Sequence, residues 1–262
     1  MTKYFRLFTS FLRVNIVSEM AYRFNFFWQL FQSLLNLGVS LAGFGIIFSY
    51  TSTIGGWGIN EILALIGVYF LVGGFIGLVV QPGMEDLIQS VRDGTLDFTI
   101  TKPHDTQLLV SVKKVNIWRI IDICLGIGVL IYSLVKLGAV IGGWEAATFI
   151  VMLIAGAVII YSFFLILATL SFWFVRMENI LVIFQSMYEA GRWPVSLYPP
   201  WLRYGLTFVI PVAFATTIPA EAITGRLDWL TMVIAMAIAG FLTVVSRSIW
   251  KIGLRHYTGT SA

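Results

Sequence analysis

The sequence predicts an all-α integral membrane protein with six transmembrane helices, and three observations support this prediction. First, the 262-residue chain is 58% hydrophobic and only 11% charged, whereas soluble domains carry about 25% charged residues. Second, six apolar stretches approach or exceed the roughly 20 residues that a helix needs to cross a bilayer. Third, the basic residues collect on alternate connectors, which indicates that those connectors are cytoplasmic.

The six predicted spans are joined by short connectors. They cover residues 24–49, 59–80, 115–137, 146–175, 178–193 and 226–249. With the N-terminus placed in the cytoplasm, thirteen of the 17 basic residues fall on the cytoplasmic side. The outer side keeps four: Lys136, Arg192, Arg203 and Arg226. This bias predicts that both termini are cytoplasmic and that residues 1–262 form a single transmembrane domain.

Residues 1–20 predict a helix that lies on the membrane surface. Lys3, Arg6 and Arg13 follow one face at helical spacing, and aromatic side chains such as Phe5 cover the other. A basic, aromatic amphipathic helix of this kind anchors in the lipid interface. The alternative is that these residues simply begin the first span.

The longest cytoplasmic connector, 81–114, predicts a short amphipathic helix. Pro82 suits a helix start, and Gly94 suits the position after a helix end. Apolar residues lie on one face and polar residues on the rest: Met84, Leu87, Ile88 and Val91 against Glu85, Asp86 and Arg92. Because so short a helix cannot bury its apolar stripe alone, we expect the stripe to contact the membrane surface or a partner's groove. The alternative is a solvated connector. Residues 95–103 are predicted to be extended.

Prolines mark the segment before the last span. The apolar run 201–220 contains two prolines and follows Pro199-Pro200. Proline removes a backbone donor, and the groups that it frees need protein or water partners inside lipid. A re-entrant segment over 194–220 on the outer side is therefore predicted. In the alternative, this segment is the fifth crossing and 178–193 is a helix on the cytoplasmic side.

Ionisable side chains near the ends of the spans are predicted to be structural. Arg119 and Asp122 stand three residues apart, as do Glu189 and Arg192, and this spacing places two side chains side by side on a helix. We expect Arg119 and Asp122 to form a pair. We expect Glu189 and Arg192 to form an ion pair or part of a pore rim near the outer end of the fifth span.

The sequence offers little for catalysis or metal binding. Cys124 is the only cysteine, and His104 and His256 are isolated, so neither a metal site nor a catalytic triad is expected. The sequence contains no G-x-x-x-x-G-K-[ST] phosphate loop, so we expect no ATP hydrolysis by this chain. The basic residues flank apolar spans instead of forming a patch, which argues against a nucleic-acid partner.

Three short motifs resemble one known family. The run 91–97, closed by Lys102-Pro103, resembles the G-x-L-D … K-P loop of ABC-2 type permeases. Residues 19–26 resemble the entry to the first span in that family's branch of paired, small six-helix permeases. Residues 198–203 resemble its proline-marked segment before the last span. The order and spacing of the motifs carry the resemblance, which covers nearly the whole chain.

The resemblance implies a membrane subunit of an ATP-binding cassette exporter for an amphipathic or hydrophobic substrate, in the bacterial cytoplasmic (inner) membrane. A helix over 82–94 would couple to a cytoplasmic ATPase subunit, which would bind ATP and Mg²⁺. The coupling residues would be Met84, Glu85, Asp86, Leu87, Ile88, Val91 and Arg92. A second permease subunit, identical or homologous, would face this one within the lipid. The outer gate or exit would be formed by Trp193, Tyr198, Trp201 and Arg203.

Other function classes fit the residues less well. A secondary transporter or channel working alone would need charged or ion-binding groups at mid-membrane, and the spans offer few. A membrane-embedded enzyme would need clustered His, Asp or Ser near one membrane face. A non-transporting membrane scaffold fits the same pattern of spans.

Overall fold

The computed structural model describes residues 13–17, 19–20, 23–138, 142–174 and 179–257. Five helices in this part of the chain are long and apolar enough to cross a bilayer. They are Phe24–Tyr50, Ile59–Arg92, Ile117–Leu137, Gly143–Phe172 and Trp229–His256. Five of the six predicted spans are thus helices of sufficient length.

The elements follow one another with short connections. In chain order they are α1 Arg23–Tyr50, β1 Thr53–Ile54, β2 Trp57–Gly58, α2 Ile59–Phe75, α3 Gln81–Arg92, α4 Asp97–Ile100, α5 Thr106–Val112, α6 Ile120–Leu137, α7 Gly143–Thr169, α8 Ile180–Tyr188, α9 Pro200–Tyr204, α10 Val212–Ala215, α11 Thr217–Ile223 and α12 Trp229–His256. The strands β1 and β2 form an antiparallel hairpin between α1 and α2, called the outer hairpin below because the predicted orientation places it on the outer side.

The predicted surface helix lies mostly outside the described residues. Residues 13–17 and 19–20 are helical. Its basic residues Lys3 and Arg6, and its aromatic Phe5, lie outside the part of the chain that the structure describes.

The second long helix does not stop at the predicted boundary near residue 80. A π-helical turn over Ile76–Val80 joins α2 to α3, so the helix continues to Arg92. Pro82 has no N–H to donate to the carbonyl four residues earlier, and this Leu78 carbonyl accepts instead from the Asn116 nitrogen at 2.9 Å. The π-helical turn is a single-turn bulge within the longer helix. The predicted separate helix is therefore continuous with the second long helix.

Glycines allow α2 and α6 to pack backbone against backbone. A Cβ atom on Gly126 would lie 2.5 Å from the Leu71 nitrogen, and one on Gly67 would lie 2.8 Å from the Leu130 nitrogen. Only glycine permits so close an approach, and small residues are the usual means of helix packing in membranes. This contact places α2 at the centre of the bundle.

The fifth predicted span, 178–193, is shorter than the other five. It forms α8 and a 3-10 turn over Glu189–Arg192. This span and the residues directly after it contact the second long helix at two positions and the outer hairpin at a third. Gln185 lies opposite Gln81, the Tyr188 hydroxyl donates to the carbonyl of Tyr69 at 2.9 Å, and Leu197 packs against Gly55 in the outer hairpin.

The proline-marked segment consists of two helical pieces, Pro200–Val209 and Val212–Ile223, bent by 69°. Residues before and after it contact the same outer hairpin: Leu197 meets Gly55, and Arg226 donates to the Gly56 carbonyl at 2.7 Å. The part of the segment just after the bend packs closely on α7, where the Phe214 carbonyl oxygen occupies the space that a Cβ on Gly156 would need. Gly156 is about 20 Å along α7 from its first residue, at 1.5 Å per residue.

Candidate functional site

The apolar stripe of α3 is buried in the chain's own core. Met84 and Leu87 are 0% exposed and Ile88 is 5% exposed, and α3 packs against α5 and α7. The expectation that this stripe needs the membrane surface or a partner's groove is therefore wrong. The physical reason is the continuity of the helix, because α3 carries its apolar face straight from α2 into the same core.

The polar side of α3 offers a different surface. Glu85, Gln89 and Arg92 are exposed. The carboxylate of Asp86 accepts from Lys113 at 2.8 Å, and Val91 is half-buried. Of the seven predicted coupling residues, Glu85 and Arg92 are thus the ones on the open face.

Residues 95–103 were expected to be extended, but they contain a turn and the short helix α4. Gly94 adopts φ 67°, and the Thr95 and Leu96 nitrogens both donate to the Ser90 carbonyl. This turn leads into α4. It buries Leu96 completely and leaves Phe98 75% exposed. Sequence reasoning missed Phe98, whose only signal is a large apolar residue in a polar connector.

A polar network fastens the cytoplasmic connector to the last helix. Asp105 caps α5 by accepting from the Leu108 nitrogen at 3.2 Å and also accepts two hydrogen bonds from Arg247. The Ser111 and Tyr161 hydroxyls are 2.8 Å apart. The hydrogen bond from Arg247 is the main reason that the pKa of the Asp105 carboxyl is lowered below its usual value. The connector is therefore held against α7 and α12.

A polar cavity of ≈ 140 Å³ lies among α1, α2, α6 and α8. Its lining combines glycines and aromatic rings with polar side chains, the latter being Asn36, Gln81, Arg119, Asp122, Gln185, Glu189 and Arg192. These polar residues come from three separate predicted spans and one connector, so no local motif predicts the cavity. The only sequence signal is the presence of polar residues within apolar runs.

Two charged residues of the cavity, Arg119 and Asp122, form an ion pair. Arg119 donates to Asp122 at 3.1 Å. The Asp122 carboxylate also accepts from Ser33 and, at 3.4 Å, from Gln29. The predicted structural pair is confirmed, and α1 completes it by satisfying the second carboxylate oxygen.

The other two charged residues of the cavity, Glu189 and Arg192, do not form the ion pair that was one of the two arrangements expected for them. No ion pair joins Glu189 to Arg192 among the described residues, and both line the cavity. The Arg192 guanidinium instead lies over the Tyr69 ring, 5.2 Å from its centroid. Its Nε is buried and has no hydrogen-bond partner in the described part of the chain. Because Tyr69 is about 15 Å along α2 from Ile59, Arg192 lies within the bundle, away from the Ile59 end of α2.

The bend of the proline-marked segment closes the space next to this cavity. A Cβ on Gly191 would lie 2.7 Å from Val212 and 3.1 Å from Thr216. Trp193 packs on Phe44, with ring centroids 4.4 Å apart. No water-sized space remains between these elements. The chain therefore has a tightly packed layer directly after Arg192.

The four predicted gate residues do not lie together. Trp193 is part of the packed layer, and the Tyr198 hydroxyl donates to the Ala190 carbonyl at 3.0 Å. Trp201 is 74% exposed, and Arg203 donates to the Ser196 carbonyl at 2.8 Å. The first two residues pack inside the protein and the last two lie on its surface, so they form no common lining.

The long apolar helices of the described residues indicate a multi-pass membrane protein. A family model described as "ABC-2 family transporter protein" matches residues 34–261, and the chain belongs to that family. The resemblance seen in the sequence motifs is thus confirmed. No curated protein and no solved structure gives a significant match.

Proposed function

We propose that this chain is the permease subunit of an ATP-driven exporter whose ATPase is a separate cytoplasmic protein. The family match over 34–261 carries the proposal. The sequence contains no phosphate-binding loop, and members of this family normally work with ATP-binding cassette subunits. Energy from ATP then reaches the membrane helices through a protein contact.

The docking surface for the ATPase is the exposed side of α3 together with α4. It consists of Glu85, Gln89, Arg92 and Phe98, called the docking face below. The charged groups supply electrostatic complementarity, and Phe98 supplies an apolar anchor of the type that dominates binding energy at interfaces. Because α3 is continuous with α2, a displacement of the docking face moves the central helix directly.

The proline-marked segment is a re-entrant hairpin on the outer side. Both of its ends contact the outer hairpin, and its bend contacts the middle of α7, which supports entry and exit on one face. The predicted span 178–193 then makes the fifth crossing. In this arrangement both termini are cytoplasmic, the membrane is the bacterial inner membrane, and a second permease subunit faces this one.

The test is to purify the full chain from its native membrane and identify bound proteins by mass spectrometry. A P-loop ATPase is expected to co-purify. Phe98→Ala should reduce its recovery severalfold. Phe208→Ala, at an aromatic residue of the proline-marked segment that is also largely exposed, should not. Failure to recover any P-loop ATPase with the wild-type chain would refute the proposal.

A further inference from the structure

We infer that the polar cavity binds the anionic headgroup of an amphiphile, recognised by Arg192, while the apolar tail stays in the lipid. The inference rests on the proposed permease function and specifies the class of substrate.

The charges of the cavity leave one cation without an anion. Arg119 is satisfied by Asp122 at 3.1 Å. Arg192 has no carboxylate oxygen within 4 Å among the described residues, although Glu189 lines the same cavity. The Arg192 side chain is half-buried, but its Nε is buried without a hydrogen-bond partner in the described part of the chain, and a buried donor left unpaired is costly. An anionic oxygen would remove that cost through charge-assisted hydrogen bonds.

Aromatic stacking holds Arg192 in position before any ligand arrives. Its guanidinium lies 5.2 Å from the centroid of Tyr69. Tyr69 in turn stacks on Tyr188 with 4.9 Å between ring centroids, and the Tyr188 hydroxyl is fixed on the Tyr69 carbonyl. This support presents the fork of donors in one orientation, which suits a phosphate or carboxylate. The buried Nε without a partner is one of those donors.

The size of the cavity selects a headgroup and excludes a whole amphiphile. A volume of ≈ 140 Å³ is well below the roughly 300–1,000 Å³ of pockets that enclose drug-sized ligands. On α1, Leu35 and Val39 flank Asn36 of the cavity and are 51% and 61% exposed. An acyl chain would follow this apolar surface.

The position of the cavity gives the binding a direction. The lining extends toward Gln81, at the cytoplasmic end of α2. On the other side, the packed layer of Gly191 and Val212 lies next to Arg192. An amphiphile therefore enters from the inner half of the bilayer and meets a closed outer half.

Binding is measured on the full chain, without ATPase, in a neutral maltoside detergent with dodecyl phosphate as the probe. Arg192→Gln should weaken binding about tenfold or more, the effect of losing a charge-assisted hydrogen bond, and Arg192→Lys should recover part of it. Arg203→Gln, an arginine that bonds Ser196 and lies outside the cavity, serves as the matched control and should bind like wild type.

Glu189→Gln provides an independent test in case Arg192→Gln is unstable. Removing the neighbouring carboxylate should tighten the binding of dodecyl phosphate severalfold, because that carboxylate repels an anion. Inorganic phosphate should bind much more weakly than dodecyl phosphate, since it lacks the tail. Equal binding of the two probes, or unchanged binding in both Arg192→Gln and Glu189→Gln, would overturn the inference.

The two proposals fail separately. Unchanged binding in these variants, combined with recovery of an ATPase from the native membrane, would remove only the anionic substrate class. Loss of binding in Arg192→Gln, without any ATPase partner for the wild-type chain, would instead remove only the ATP-driven permease role.

Discussion

Arg226 donates to both carboxylate oxygens of Glu61, at 2.6 and 2.7 Å, across 165 residues of chain. The same guanidinium lies 5.0 Å from the centroid of Trp57. Glu61 in turn accepts from the Gly58 nitrogen at 2.7 Å and so caps α2. One carboxylate thereby ties the end of the proline-marked segment to the start of the central helix.

Arg226→Gln is expected to lower the free energy of unfolding by about 1 kcal/mol, because the pair is bidentate yet partly exposed. Arg226→Lys should recover little of this loss, since an ammonium lacks the planar fork. In a double-mutant cycle with Glu61→Gln, monitored by thermal unfolding in detergent, the combined loss should be smaller than the sum. Strict additivity would mean that the two residues do not stabilise each other. Arg203→Gln is the control, because it removes an exposed arginine that does not contact Glu61 but donates to the Ser196 carbonyl.

Gly126→Ala should destabilise the bundle by about 1–3 kcal/mol, the usual cost of overpacking a core. The added methyl group would lie 2.5 Å from the Leu71 nitrogen and 2.7 Å from the Gly67 oxygen, so α2 and α6 must separate. Gly128→Ala is the matched control on the same helix, because a Cβ there meets no atom within 4 Å. Equal unfolding midpoints for the two variants would contradict the observed helix contact.

Leu87→Asp should prevent the subunit from folding, instead of only weakening a partner contact. Leu87 is fully buried, and an unpaired carboxylate in an apolar core costs several kcal/mol. Gln89→Asp, two residues later on the exposed face, should leave the subunit intact. Size-exclusion chromatography of both variants in detergent decides the matter, and a monodisperse Leu87→Asp protein would show that the stripe is not core.

The sequence predicts the spans because hydropathy and charge bias depend on composition alone. The predicted helix boundary near residue 80 is wrong. Proline disrupts a regular α-helix, so Pro82 indicates the start of a new helix. Here a π-helical turn over Ile76–Val80 lets the helix continue. Periodicity also shows that Met84 and Leu87 share a face, but not that α7 and α5 cover it.

The cavity could not be predicted for a related reason. Arg192 and Tyr69 are 123 positions apart in sequence, and their contact depends on how α8 packs against α2. Spacing places Glu189 beside Arg192 on a helix, but the Arg192 guanidinium lies over the Tyr69 ring instead. That choice depends on a tertiary contact, which the i, i+3 rule does not include.

Asp105 should make the stability of the cytoplasmic connector depend on pH. Its folded-state pKa is lowered from 3.8, chiefly by the hydrogen bond from Arg247. The contribution is therefore fully present above pH 3.8 and is lost as the pH falls through the lower, folded-state value. Asp105→Asn should melt below wild type by a constant margin near neutral pH, and the margin should shrink in acid. A margin that does not change with pH would contradict the ion pair; Asp93→Asn, in an exposed pair with Arg92, is the control.

Cysteine labelling tests the placement of the proline-marked segment. In a Cys124→Ser background, a membrane-impermeant maleimide added to intact cells should label Arg203→Cys and Asp228→Cys. It should label Gln89→Cys, at an exposed position of α3, only after the inner membrane is opened.

Arg203 separates the two topologies, and Asp228 does not. In a re-entrant arrangement both residues face outward, since Leu197 and Arg226 contact the same outer hairpin. If residues 201–220 instead formed the fifth crossing, Arg203 would lie at its cytoplasmic start while Asp228 would still lie outside. Labelling of Arg203→Cys only from the cytoplasm would therefore refute the re-entrant hairpin. Labelling of both positions from outside would support the predicted span 178–193 as the part of the chain that makes the fifth crossing.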